Sequence, residues 1–347
     1  MQDAISERVA KVLAAKLTGQ ERELLTKHYT ENPEAYQLYL MGRYYWSKRT
    51  EEGIKKGVEY FQQAVEKDPR HALAYADLAA SYKMFPYYGV LPPSEAHPRA
   101  KEAATKALEI DETLAEAHAA LAIVLECSDW DWSAAEEEFK RAIELKPNYA
   151  TAHHWYGLFL ERMGRLEESK IEMTRALELD PVSLIINKNV ADPYYFMRQY
   201  DKAIAQYQKT LELDSNFSLA RLWLGLSYEQ KGMYEKAIVE FQKARLTDDN
   251  PAILAALGHA YAVSSNRDEA EKIINELKRL SKQYVAPYHI ATIYVGLQKN
   301  EEAFQWLERA YQGRDEWLLY LKIDQRLDGL RSDPRFQSLM RKMDLPP

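Results

Sequence analysis

The sequence predicts an all-α fold: a right-handed superhelical α-solenoid of about eight helix-turn-helix units, closed by a C-terminal helical cap. Three observations carry this. Turn residues are sparse, with 13 Gly and 14 Pro among 347 residues, well under average usage. Small residues recur at a constant interval: Ala135, Ser169, Ala203 and Ala237 are each 34 residues apart. Phe139, Met173, Tyr207 and Phe241 keep the same register, as do Ala142, Ala176, Thr210 and Ala244. A period in this range is the mark of stacked repeats. Prolines also recur at the unit ends, in Asp68-Pro69, Lys146-Pro147 and Asp180-Pro181, where a missing N–H and a restricted preceding residue stop a helix.

The elements follow in order. Residues 1–32 read as an N-terminal amphipathic helix and linker, because Ile5, Val9, Val12, Leu13 and Leu17 share one helical face and demand a partner surface. The array is expected over 35–316, in units 35–69, 71–112, 115–149, 150–183, 184–217, 218–250, 251–283 and 284–316. The first unit spends extra residues around Lys48 to Glu52. The second carries an insertion near 85–97 that contains Phe85, Tyr87, Tyr88 and Val90. Its apolar content predicts that it folds back onto the stack. The third carries one extra residue near Trp130. Residues 317–347, with Leu327, Leu330, Phe336, Leu339 and Met340, read as capping helices, since a stack needs atypical units at its ends.

Composition narrows the function. The formal charge of -7 offers no broad attraction to a polyanion, so nucleic acid is not an expected partner. The longest strictly apolar run, Ala119 to Leu125, is far short of the roughly 20 residues that span a bilayer, so no membrane insertion is expected. The first residues mix both charge signs, unlike an export signal. The expected compartment is the cytoplasm, or the periplasm if a parent protein has a transmembrane helix upstream. Cys127 is the only cysteine, which excludes an intramolecular disulfide or a thiolate metal cluster. No Gly-x-Ser-x-Gly elbow, phosphate loop or dinucleotide fingerprint is present. No cofactor, no metal and no enzymatic activity are expected.

A second helix precedes each small-residue column, marked by Tyr156-Gly157 with Leu160, Leu224-Gly225 with Tyr228, and Leu257-Gly258 with Tyr261. Together these columns resemble the tetratricopeptide repeat, a helix-turn-helix unit of about 34 residues. A narrower resemblance rests on Gln2-Asp3-Ala4-Ile5-Ser6, on Tyr36-Gln37-Leu38-Tyr39-Leu40 with Gly42-Arg43-Tyr44-Tyr45, and on Leu330-Arg331-Ser332-Asp333-Pro334-Arg335-Phe336. These strings are similar to the C-terminal array of bacterial multidomain regulators, where it follows a TolB-like domain and, further upstream, a winged-helix, kinase or cyclase domain. The resemblance implies that the first helix of each unit lines a concave groove. It thereby nominates Tyr36, Tyr39, Arg43 and Trp46 in the first unit, His154, Glu161 and Arg162 in the fourth, and Lys188, Asp192, Tyr195 and Phe196 in the fifth.

Aromatic and Arg side chains anchor peptides at interfaces, but many of the tyrosines, including Tyr82, Tyr194, Tyr228, Tyr261 and Tyr294, fall in a structural column. The two-carboxylate clamp by which some relatives hold chaperone tails is incomplete: Lys188-Asn189 is present, while neighbouring first helices offer His154-Trp155 and Leu222-Trp223. The leading expectation is a non-enzymatic scaffold binding a peptide or protein segment, its own upstream domains or a second copy. The alternative is a regulatory or sensory arm of a larger bacterial signalling or transcription protein. A remote third is a metal-dependent hydrolase using His118, His153 or His154.

Overall fold

The structure is a computed structural model that describes residues 30–280 and 284–345. The amphipathic helix expected over residues 3–17 lies outside the described residues. Eight helix pairs follow one another: α1 (Pro33–Trp46) and α2 (Glu51–Lys67), α3 (Ala72–Met84) and α4 (Pro93–Ile110), α5 (Ala115–Val124) and α6 (Trp132–Leu145), α7 (Ala150–Arg162) and α8 (Leu166–Leu179). In the fifth pair α9 (Leu184–Asn189) and α10 (Asp192–Phe196) face α11 (Tyr200–Leu213). Then come α12 (Ser218–Gln230) and α13 (Tyr234–Arg245), α14 (Pro251–Val263) and α15 (Arg267–Arg279), α16 (Pro287–Gly296) and α17 (Asn300–Gln312). Two 3-10 segments, Glu316–Tyr320 and Gln325–Leu330, and α18 (Pro334–Lys342) complete the chain. The fold is the all-α solenoid that the period predicts.

In the first and sixth pairs glycine meets a bulky ring. A Cβ on Gly42 would lie 2.5 Å from the Phe61 ring, and one on Gly225 would overlap Phe241, so hydrogen at these positions sets the interhelical distance. Each of the eight turns inside a pair passes through the left-handed region, at Arg49, Gly89, Trp130, Gly164, Arg198, Gly232, Ser265 and Gln298. Only three of these are glycine, which is why glycine content did not reveal the turns. Between pairs, Asp68, Asp111, Asp214 and Asp248 accept from the backbone N–H two residues on, an Asx turn that holds the connection.

A second polar device stitches successive units. His118 bonds Glu138 and the carbonyl of Glu112. His153 bonds Glu172 and the carbonyl of Pro147, and Arg221 bonds Glu240 and the carbonyl of Ser215. Each of these side chains ties its unit's second helix to the turn entering the unit.

Two departures from a plain helix pair shape the interior. The extra residue of the third unit is absorbed in a π-helical turn, Leu125–Asp129, which ends on Trp130 at φ 56°; such turns accommodate a single insertion. In the fifth unit Pro193 has no N–H to offer Asn189, and the first helix breaks into α9 and α10. Lys188 therefore stands on α9, and Asp192, Tyr195 and Phe196 on α10.

Candidate functional site

The concave wall does not stand open along its length. The cap lies on it: Glu316 meets His97 at 3.1 Å and Lys83 at 3.4 Å, and the Lys322 ammonium donates to the carbonyl of Met163. The Gln325 amide donates to the carbonyls of Tyr195 and Phe196. The 85–92 insertion completes the cover. Tyr87 stacks on Trp317 with ring centroids 5.2 Å apart, the Tyr284 N–H donates to the carbonyl of Gly89 at 2.8 Å, and Asn250 donates to the carbonyl of Tyr87. The inserted segment folds back as its composition predicts, and it reaches elements some 160 to 230 residues further along the chain.

Two spaces remain. An outer cleft of about 550 Å³ runs between the first unit's turn and the units that follow α7, lined on one side by Arg43, Trp46, Lys48 and Arg49 and on the other by Asp180, Val182, Ile185, Asp214 and Phe217. An inner cavity of about 80 Å³ lies beyond it, and Arg49, His154 and Ile185 line both. The first unit's side of the cleft is basic, and its far side carries two carboxylates and the largely exposed Val182, at 81 %.

The nominated residues divide accordingly. Tyr36 is half exposed, at 50 %, on the outer face of α1 beside Leu40, Met41 and Tyr44, which are also exposed. Tyr39 is buried against Phe61 and His71, so it packs the first pair and does not face a groove. Arg43 bonds Asp77 at 3.3 Å. Trp46 lies half-buried under the Arg49 guanidinium, 3.6 Å from its ring centroid. Arg43, Trp46 and His154 therefore border the outer cleft. Arg162, Lys188 and Asp192 line the inner cavity, whereas Tyr195 and Phe196 pack edge-on against Trp223. The picture of all these side chains along one solvent-filled groove is corrected: the cap and the insertion cover most of them.

The interior is strongly charged. Arg162 binds Glu126 at 2.8 Å, and Lys188 donates to Asp192 at 2.6 Å while Tyr207 donates to the other carboxylate oxygen. Burial pushes the Lys188 ammonium down and the Asp192 carboxyl up, and their mutual attraction opposes both shifts. Glu161 is fully buried with neither oxygen hydrogen-bonded. Burial first, then the charge of Asp192, raises it well above the usual carboxylate range, which keeps it as the neutral acid. His154 is held down to about 3 by burial and then by Arg49, Lys188 and Arg162. Its neutral ring pairs with the Asn189 amide at 2.9 Å.

Sequence reasoning missed Arg49, Lys83, Tyr88 and Tyr320, and weighed Asn189 and Trp223 only against a chaperone-tail clamp; all six line the cavity. Arg49 stands in a turn, and Tyr320 arrives from the cap across more than 150 residues, so a scan of first-helix positions finds neither. The Tyr87-Tyr88 pair in the insertion was the available signal. Of the histidines offered for a metal, His118 and His153 are spent on the inter-unit ties. Among the described residues no three His, Cys, Asp or Glu side chains converge to hold a metal ion. No helix among them is long and apolar enough to cross a membrane.

Known proteins resemble this chain in sequence and in fold. The TPR repeat model matches residues 191–232 and the tetratricopeptide repeat model matches 150–183. The type IV pilus assembly protein PilF of Pseudomonas aeruginosa is 32% identical over 185 residues, covering 52% of this chain and 73% of PilF. The transcriptional regulator HilA of Salmonella typhimurium is 26% identical over 179 residues, 51% of this chain but 32% of HilA. The match to that regulator thus spans about a third of its length. Among solved structures, the APC/C hetero-tetramer Cut9–Hcn1 shares the fold over 99% of this chain and 60% of its own, with a TM-score of 0.61 and 16% identity.

Proposed function

Because the chain belongs to the tetratricopeptide-repeat family, we propose that it is a non-enzymatic protein-interaction scaffold that seats a segment of a partner protein in the outer cleft. One observation carries this reading: the cap and the insertion cover the rest of the concave wall, and the roughly 550 Å³ cleft beside Arg43, Trp46 and Lys48 is left open. A pre-formed cleft confines the ordering cost of binding to the incoming segment. Trp46 and Arg43 are the residue types that anchor such segments. Arg43, Lys48 and Arg49 on one side and Asp180 and Asp214 on the other favour a segment bearing both charge signs. His154 forms the floor; Arg162, Lys188, Asp192 and Tyr195 act beneath it, supporting the wall. Tyr36 extends the contact over the exposed face of α1.

A photo-cross-linking residue placed at Ser47 or Val182 tests this in the source cell. The same partner should be trapped at both positions and not at Lys140 on α6, and Arg43→Glu with Lys48→Glu should abolish the trapping while the helical signal is unchanged. Trapping that survives the double replacement would remove the cleft from consideration.

A second reading is favoured by the similarity to HilA: the array is a regulatory arm of a larger bacterial regulator and its partner is an upstream domain of the same polypeptide. Sequencing of the genomic locus decides it. A frame that encodes the array alone would rule it out.

A further inference from the structure

Charge and hydrogen-bond accounting in the inner cavity leave one positive charge and several donors without partners. Four cations line it: Arg49, Lys83, Arg162 and Lys188. Three have a carboxylate of their own, Lys83 with Glu316, Arg162 with Glu126 and Lys188 with Asp192. Arg49 has no acidic partner among the described residues; it stacks on Trp46, and the acid nearest in influence, Asp77, is bound by Arg43. Glu161, buried beside Lys188 and Arg162 with neither oxygen hydrogen-bonded, is the neutral acid, so the excess is a single positive charge.

The polar atoms agree. Tyr88 Oη, Arg162 Nε and Trp223 Nε1 line the cavity, are buried, and have no hydrogen-bond partner. The Asn189 Nδ2 is spent on His154, so its unpaired Oδ1 is an acceptor and does not add to these donors. Buried donors of this kind are rare and call for an unseen acceptor. Water would satisfy the donors but leave the positive charge uncompensated. The apolar walls are Met84, Ile123, Leu158, Ile185 and Leu219. At about 80 Å³ the space is well below the roughly 150 Å³ that accommodates benzene, so it excludes a ring.

We propose that the inner cavity is a binding site for a small aliphatic monocarboxylate, between acetate and butyrate in size, whose carboxylate faces Arg49 and Tyr88 and whose alkyl body lies against Ile123 and Leu158. The site is separate from the segment-binding cleft, although Arg49 and His154 stand at the passage between them. Binding closes the charge balance and ties the first unit's turn, the insertion and the cap residue Tyr320 around one ligand.

Titrating the full chain with propionate tests this, followed by calorimetry and by the melting midpoint, with propionamide and with chloride at equal ionic strength as controls. Propionate alone should bind saturably and raise the midpoint. Arg49→Gln should weaken binding at least tenfold, Tyr88→Phe several-fold with an unchanged fold, and Lys140→Gln on α6 should leave it intact. No saturable binding, equal effects of propionate and propionamide, or undiminished binding by Arg49→Gln would each overturn the proposal. If Arg49→Gln does not fold, Tyr88→Phe decides: unweakened binding in that variant refutes the site. Because the readout needs no protein partner, failure here leaves the scaffold reading standing, and the reverse also holds.

Discussion

The Arg162 guanidinium lies 2.8 Å from both carboxylate oxygens of Glu126, joining the fourth unit to the third with both side chains buried. Glu126 belongs to the π-helical turn that absorbs the third unit's extra residue. Breaking such a pair on one side strands a buried charge, which costs roughly 3–5 kcal/mol, while replacing both partners with apolar residues is often neutral. Arg162→Met alone should therefore lower the urea midpoint sharply, and Glu126→Met with Arg162→Met should recover most of the loss. Losses in the double variant that equal the sum of the two single losses would mean that the two residues act independently.

Gly225 faces Phe241 so closely that any Cβ would enter the ring. Gly225→Ala should cost about 1–3 kcal/mol through overpacking, despite the better helix propensity of alanine. Adding Phe241→Leu should restore part of the stability by making room. Chemical denaturation of the three variants reads this directly, and additive losses would show that the ring is not the obstacle.

The 34-residue period was legible because it is written in residues that must be small: Ala135, Ala203 and Ala237 are fully buried, and Gly157 and Gly225 sit against Met173 and Phe241. The inner cavity was not legible, because its walls come from a turn (Arg49), an insertion (Tyr88) and the cap (Tyr320), none of which keeps the period. The same reason misdirected the reading of Tyr39. Its position in the unit matches a groove-facing site, but at the start of the array it is enclosed by Phe61 and His71. Pro193 was visible in the sequence; that it would split the fifth unit's first helix follows once its missing N–H is set against Asn189.

His154 and His289 should each draw stability down on mild acidification, against groups that pull the other way, Glu161, His118 and His153 among them, and single variants can resolve the balance. Burial, aided by Arg49, Lys188 and Arg162, holds His154 down to about 3, and burial and then Arg326 hold His289 down to about 3. A folded pKa below the unfolded value of about 6.5 means that stability is full above that value and is lost as pH falls toward 3, at roughly 2 kcal/mol per histidine by pH 5. Asp315 works in the opposite direction. Burial pushes its carboxyl up to about 7, so its share is full below about 4 and is lost as pH rises to 7. Melting midpoints between pH 5 and 7.5 should flatten in His154→Gln and His289→Gln and steepen in Asp315→Asn. A histidine variant with the wild-type slope would show that the ring is not held neutral.

The cap and the insertion should come off the concave wall together. Trp317 is buried, stacks on Tyr87 and contacts His289 and Tyr320, and its indole N–H has no hydrogen-bond partner, so it contributes by packing. Trp317→Ala should cost about 3–5 kcal/mol, while Trp317→Phe keeps a ring against Tyr87 and should cost less. In a stacked array each unit depends chiefly on its neighbours, so the sixth unit, held by its own Gly225–Phe241 contact, should keep its protection. Hydrogen exchange of Trp317→Ala should therefore speed up in two stretches distant in sequence, 85–92 and 316–330, and change little in α12 and α13. The Tyr284 to Gly89 backbone bond and the Asn250 to Tyr87 bond are the competing anchors. If they suffice to hold the insertion, only 316–330 would exchange faster, and the two covers of the concave wall would be shown to dock independently.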